Sequence, residues 1–239
     1  MEAKKPGVAL FDLDGTLLAW DTQVLFCGFV MRREGWRRVL LLPFFLLLPL
    51  APLLGTAGMK RVFLAYLWRM ERERLDELAR GFVAGWFPGR CFPELLDEIA
   101  RERAAGRRLI LASASPQLWV EEVGEVLGFD DFFGTTVEFG TRAPFFPDLE
   151  NHKGSAKVER LRRVGLAPEE GKIPDSHGYT DSCADLPMLE ICERATVVNP
   201  GRKLEGIAER EGWKVLRPGT PWRGRMGRGL AFLGKMMGM

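Results

Sequence analysis

The stretch Val8-Ala9-Leu10-Phe11-Asp12-Leu13-Asp14-Gly15-Thr16-Leu17 decides how the chain is read. The apolar run Val8 to Phe11 predicts a short buried strand. It runs directly into two carboxylates one residue apart, Asp12 and Asp14, followed at once by Gly15. Strand side chains alternate with period two, so both acids point to the same side. A carboxylate at the C-terminal end of a parallel strand faces the crevice in which open α/β sheets bind ligands. Gly15 lets the backbone turn away there, and Thr16 offers a hydroxyl and an amide to an anion. Two like charges this close raise each other's pKa unless a cation or a proton separates them. A solvated Asp-x-Asp-Gly turn is the plainer reading of the stretch taken alone.

Working outward, the chain of 239 residues has room for one α/β domain with an insertion, or for two small domains. A hydrophobic content of 46% supports a full core and argues against disorder. Lys+Arg 34 nearly cancels Asp+Glu 32, so net charge points to no particular partner and gives no footprint for nucleic acid. The cysteines, Cys27, Cys91, Cys183 and Cys192, form no Cys-x-x-Cys pair, and with His 2 in the whole chain no zinc set assembles. They read as reduced thiols of a cytosolic protein. The N-terminus enters the first strand directly, with no stretch resembling a secretory leader.

From Leu18 to about Arg90 the sequence reads as helical. Asp21 or Thr22 caps a first helix carrying Leu25, Phe26, Phe29 and Val30. The composition then changes sharply, with no charged residue between Arg38 and Lys60. A straight helix over Val39 to Leu54 would be about 24 Å long. Bilayer hydrocarbon is about 30 Å thick, and Pro43, Pro49 and Pro52 interrupt the run. Arg32, Arg33, Arg37 and Arg38 precede it, and Lys60 and Arg61 follow. Basic residues on both flanks predict a hairpin that dips into a membrane and returns. The competing expectation is the buried helical core of a soluble unit. A second amphipathic helix covers Glu71 to Phe87, and Pro88-Gly89 breaks it.

Beyond this region strands and helices alternate. Arg108 to Ser113 reads as a strand, with Ser115 as N-cap and Pro116 in the first turn of the helix after it. Thr135 to Phe139 is a candidate strand, and Lys153 to Val164 a helix. Asp175 to Asp181 reads as a strand ending on a carboxylate, with Leu186 to Cys192 as a helix. Ala195 to Val198 completes the strands and Arg202 to Glu211 forms another helix. Polar groups placed after strands in such an alternation predict a parallel, doubly wound α/β sheet. His152 and His177 read as packing or surface residues. The tail from Met226 mixes Arg and Lys with Leu, Phe and Met, and reads either as a frayed end or as an interfacial foot.

Three later stretches accompany FDLDGTL in a fixed order. They are LILASASP (Leu109–Pro116), GSAKVERL with Lys157 or NHKG with Lys153, and GYTDSCADLPML (Gly178–Leu189). Together they resemble the motifs of the haloacid dehalogenase superfamily, most of whose members are Mg-dependent phosphatases. The last motif departs from the family's usual Gly-Asp-Gly, since Tyr179-Thr180-Asp181-Ser182 stands there. The insertion between the first two motifs is where the phosphoserine-phosphatase-like branch carries a helical cap. Within that branch the chain most resembles the C-type phosphatidylglycerophosphatases, through FDLDGTL, the Leu/Pro-rich stretch, Ala114-Ser115-Pro116-Gln117 and Tyr179-Thr180-Asp181-Ser182.

The resemblance implies a HAD-like core over 1–17 and 91–218, a helical cap over 18–90 and a tail over 219–239. It implies Asp12 as nucleophile and Asp14 as general acid and base. Ser113, Ser115, Thr16 and Lys157 would hold the phosphoryl group. Asp12, Asp14, Asp181 and Asp185 would surround Mg2+. It further implies a lipid phosphomonoester, phosphatidylglycerophosphate, as substrate, with the enzyme peripheral or monotopic on the cytoplasmic face of the plasma membrane. The alternative is a soluble phosphatase for a small metabolite such as phosphoserine. A non-catalytic membrane scaffold has no use for converging acids.

Overall fold

The computed structural model describes residues 7–222 and 224–238, so the residues ahead of Gly7, read above as carrying no leader, lie outside it. The first strand, β1 (Val8–Phe11), is central. Its alternation serves two cores. Ala9 and Phe11 belong to one buried cluster, Val8 and Leu10 to another on the opposite face. A strand buried on both faces is continuous in apolar residues, as parallel sheets require.

The chain then enters a helical insertion. Helix α1 (Thr22–Arg33) starts at Asp21, whose carboxylate accepts from the amides of Gln23 and Val24. The apolar stretch is neither one helix nor a packed core. A 3-10 segment, Gly35–Leu41, leads into α2 (Leu42–Leu47), and a turn at Leu48–Leu50 leads into α3 (Ala51–Phe63). Gly55 takes a positive φ of 65° inside α3, which breaks its axis. No residue of α2 or of the turn after it is buried, and Leu46 and Leu53 are 76% and 83% exposed. The expectation that this stretch packs inside a soluble cap is therefore corrected for α2 and the turn after it, while Leu41 is buried and Leu40 and Phe44 pack on the main core. Proline at the start of each piece removes the amide a continuous helix would need. The pieces are too short to wrap a core of their own. The next helix is α4 (Arg72–Trp86), reached through Leu64–Leu67.

Helix α5 (Pro93–Ala104) leads back to the sheet through β2 (Arg108–Pro116). Then follow α6 (Gln117–Leu127), β3 (Asp131–Val137), β4 (Leu149–Glu150) and α7 (Ser155–Arg163). The remaining elements are β5 (Ile173–Thr180), α8 (Leu186–Glu190), β6 (Cys192–Val198), α9 (Arg202–Glu211), β7 (Lys214–Leu216) and α10 (Gly224–Met236). The seven strands form one sheet in the order β4-β3-β2-β1-β5-β6-β7, parallel except for the short β4. Helices on both faces complete the expected doubly wound architecture.

Three expectations are corrected locally. Ser115 does not cap a helix, because β2 continues past Ser113 and pairs Pro116 with Thr135 after a register shift. Cys192 opens β6 instead of closing α8. The tail is not frayed but helical, and its contacts with Trp20 and α1 hold it.

Candidate functional site

The sheet order places β1 between β2 and β5, so the ends of three strands meet. Register aligns Phe11 with Leu111 and Tyr179, and the Asp12 amide donates to the Tyr179 carbonyl at 3.0 Å. That backbone bond brings Asp12 beside the turn carrying Asp181. At Gly15 the backbone has φ 84°, and a Cβ there would lie 2.3 Å from Asp181 Oδ2. Glycine is required here for both reasons. Thr16 Oγ1 spans the two strands, donating to Asp12 Oδ2 at 3.1 Å and lying 3.4 Å from Asp181 Oδ1, while accepting the Asp181 amide at 3.0 Å.

Lys157, from the first turn of α7, is 1% exposed and donates to Asp12 Oδ1 at 2.7 Å and Asp185 Oδ2 at 2.8 Å. Burial disfavours its charge, but the two carboxylates outweigh burial and hold the ammonium above the ordinary lysine range. Asp185 also accepts from Thr180 Oγ1 at 3.0 Å. Lys153, the other lysine considered, lines the pocket mouth, whereas Lys157 makes the contact with Asp12.

Asp14 is turned toward the insertion. Its Oδ1 accepts the Thr22 amide at 2.7 Å, and its Oδ2 accepts Ser115 Oγ at 2.6 Å, with Ser113 Oγ at 3.5 Å. Thr22 Oγ1 is 2.8 Å from Ser115 Oγ and accepts from Trp119 Nε1 at 3.0 Å, so the carboxyl's supports are themselves supported. Burial raises the pKa values of Asp12, Asp14 and Asp181, and neighbouring carboxylates raise them further.

The acids open onto a cavity of about 560 Å3. Its lining mixes polar side chains, Asp21, Gln23 and Asn151, with apolar ones, Val24, Phe44 and Phe63. One residue here was not anticipated from sequence. Lys60, from α3, reaches across to the Ala114 carbonyl at 2.6 Å, Asn151 Oδ1 at 2.5 Å and Thr135 Oγ1 at 3.1 Å, and burial lowers its pKa to about 8. Its only signal in the sequence is that it ends the charge-free run. His152 places Nδ1 3.0 Å from the Ser113 carbonyl, and burial lowers its pKa to about 4, so it is a neutral buttress of the strand end. His177 packs behind the sheet, between Glu102 Oε1 at 2.7 Å and Thr196 Oγ1 at 2.8 Å.

A family-wide sequence profile described as haloacid dehalogenase-like hydrolase matches residues 9–190. The chain belongs to that family. It is 32% identical over 233 residues to an "Inhibition of morphological differentiation protein" of Streptomyces azureus, spanning 87% of this chain and 77% of that one. It is 27% identical over 233 residues to a histidinol-phosphatase of Neisseria meningitidis, spanning 87% and 97%. Its fold is that of a phosphoserine phosphatase solved as an analogue of its phospho-aspartyl intermediate. The TM-score is 0.57 at 17% identity, covering 90% of this chain and 94% of that one. The protein is thus an enzyme of a hydrolase family with phosphatases among its relatives, and the HAD-like α/β fold with a helical insertion is as the sequence predicted.

Proposed function

We propose that the protein is a phosphomonoester hydrolase acting through an aspartyl-phosphate on Asp12, with a small phosphorylated metabolite as substrate. The observation that carries this reading is the convergence of Asp12, Lys157 and Asp14 at the floor of one cavity. Asp12 Oδ attacks phosphorus and the P–O bond to the alcohol breaks, leaving the phosphoryl group on Asp12. Asp14 gives its proton to the departing alkoxide, then accepts one from the water that attacks the same phosphorus and releases phosphate. A carboxyl buried and raised toward neutrality suits both halves of that exchange. Lys157, held against Asp12, would meet the phosphoryl oxygens as charge develops, and the Ser113 hydroxyl, 3.5 Å from Asp14 Oδ2, would assist from the strand end.

The donor set suits a hard divalent cation. Asp12 and Asp181 are carboxylates, the bare Cα of Gly15 leaves room at Asp181, and buried like charges need a cation between them. Asp12, Asp181 and the Asp14 carbonyl would hold Mg2+, which would neutralise the repulsion between nucleophile and phosphate. Asp185 is engaged by Lys157 and Thr180, which makes it the support of the lysine.

For the substrate, the histidinol-phosphatase relative and the phosphoserine phosphatase fold favour a small phosphomonoester, as do the polar lining residues Asp21, Gln23 and Asn151. Neither named protein acts, by its name, on a lipid. A second reading, phosphatidylglycerophosphate hydrolysed at the cytoplasmic face of a membrane, is favoured by one observation. The charge-free stretch lies exposed on the same insertion that lines the cavity, with Phe44 reaching inward and Leu46 outward. Phosphate release from histidinol phosphate, phosphoserine and vesicle-borne phosphatidylglycerophosphate, with Mg2+ and with chelator, separates the readings. The primary one expects the soluble esters to be the better substrates and chelator to abolish turnover. Turnover only on vesicles would reverse the order, and full activity in chelator would remove the metal assignment.

A further inference from the structure

The C-terminal helix reaches the catalytic cavity. α10 lies along α1, and its last residue, Met236, is 7% exposed and lines the cavity wall beside Val24 and Phe44. Several contacts fix it there. Trp20 packs on Trp222 at 4.9 Å and on Phe232 at 5.3 Å, and those two rings also meet each other at 5.5 Å. The Met236 carbonyl lies 3.7 Å from Cys27 Sγ, and Arg38 Nε donates to the Met237 carbonyl at 3.1 Å. The tightest contact is at Gly28, where a Cβ would stand 1.7 Å from the Lys235 carbonyl oxygen. Only glycine admits this approach, so the sequence of α1 contains the seat for α10.

The same helix α1 begins at Thr22, whose amide binds Asp14. From Thr22 to Gly28 is six residues, about 9 Å along the axis. One element therefore holds the proton-transfer carboxyl at its start and the tip of α10 about two turns later. A substrate whose phosphate lay on Asp12 would extend its alcohol half into the cavity that Asp14 and Met236 both line.

We infer that Met236 is a specificity-determining residue, an apolar stop contributed by the C-terminal helix that restricts the enzyme to phosphomonoesters of compact alcohols. The inference rests on the phosphatase reading above and deepens it. Met236→Ala removes Cγ, Sδ and Cε from the wall without disturbing the carbonyl contact with Cys27. Gly28→Val acts independently by displacing the end of α10 from its seat.

The test uses the full chain and three esters of increasing bulk: phosphoserine, phenyl phosphate and 1-naphthyl phosphate. Both variants should raise kcat/KM for 1-naphthyl phosphate relative to phosphoserine by about tenfold, as expected when a pocket gains the room of a few methylenes. A merely structural role would lower all three rates together. The position of α10 is read separately from alkylation of Cys27, buried beneath Met236, mapped by peptide mass; it should be slow in the wild type and fast in Gly28→Val. Unchanged selectivity in active variants overturns the proposal alone. Unreactive Cys27 in Gly28→Val also overturns it, because α10 would not be seated as described. A wild type that hydrolyses none of the esters fails the phosphatase reading, and the proposal falls with it.

Discussion

Ser115 Oγ donates to Asp14 Oδ2 at 2.6 Å, tying the end of the second strand to the carboxyl assigned the proton transfers. A hydrogen bond to the ionised form favours it, so this contact lowers the Asp14 pKa against the upward push of burial and of Asp21. Ser115→Ala should therefore raise that pKa. The limb of the pH–kcat/KM profile on which Asp14 loses its proton should move to higher pH. Lost orientation should also lower kcat by about ten- to a hundredfold. A profile unmoved in pH would show that Asp14 is not the titrating acid.

Lys157 lies between Asp12 and Asp185 with almost no exposure. Removing one partner of a buried ionic cluster leaves uncompensated charge and costs about 3–5 kcal/mol. Lys157→Met should destabilise the protein by that order in denaturant titration and abolish turnover. Lys153→Met should do neither. A destabilised, inactive Lys153 variant beside a normal Lys157 variant would reverse the assignment.

Glu102 is the centre of a buried network behind the sheet, bound by His177 at 2.7 Å, Tyr179 OH at 2.6 Å and Arg107 Nη1 at 2.7 Å. Burial alone would raise its pKa, but these donors hold it down from 4.5 to about 2. A depressed carboxyl stabilises the fold at pH above its unfolded value. That contribution should be lost as pH falls from about 4.5 toward about 2. Glu102→Gln should lower stability at neutral pH and flatten its decline over that acid window. Urea midpoints measured from pH 2 to 7 check both; an unflattened decline would place the acid-sensitive group elsewhere.

The exposed insertion makes a sharp forecast for charge. Leu46→Arg and Leu53→Arg introduce cations at positions 76% and 83% exposed, where surface substitutions shift stability within about 0.5 kcal/mol. The double variant should fold and keep its activity on soluble esters. Vesicle flotation then decides the membrane reading, which requires the wild type to float and the variant to float less. Unfolding of the variant would mean that the stretch is buried in solution.

The parts of this molecule that were legible in the sequence are those set by local pattern. The Val8–Phe11 strand, the acids after it, the Asp21 cap and helix α9 follow from alternation, turn chemistry and helical periodicity, and they appear where expected. The order of the motifs named Ser113, Lys157 and Asp181; Lys157 and Asp181 lie close to Asp12, and Ser113 lies beside Asp14. What was not legible depends on contacts distant in sequence. Ser115 has the local signature of a helix cap, yet Asp14, 101 residues away, takes its hydroxyl and β3 keeps its backbone extended. Lys60 looks like a flanking surface charge until Ala114 and Asn151 are brought to it. The tail read either as a frayed end or as an interfacial foot, and only the bare surface of Gly28 explains why α10 has a seat. Hydropathy marked Val39–Leu54 as unusual but could not say whether a partner within the chain covers it; no residue of α2 is buried, although Phe44 packs inward on Phe63.

Asp12 is the residue proposed to carry the phosphoryl group. The most direct measurement is an acid quench of the enzyme during turnover of a phosphomonoester with Mg2+, followed by peptide mass mapping and repeated with Asp12→Asn. A phosphoryl adduct is expected on the peptide containing Asp12 in the wild type. In the folded Asp12→Asn variant neither adduct nor turnover is expected. An adduct on another residue, or a variant retaining more than a small fraction of wild-type turnover, would contradict that role.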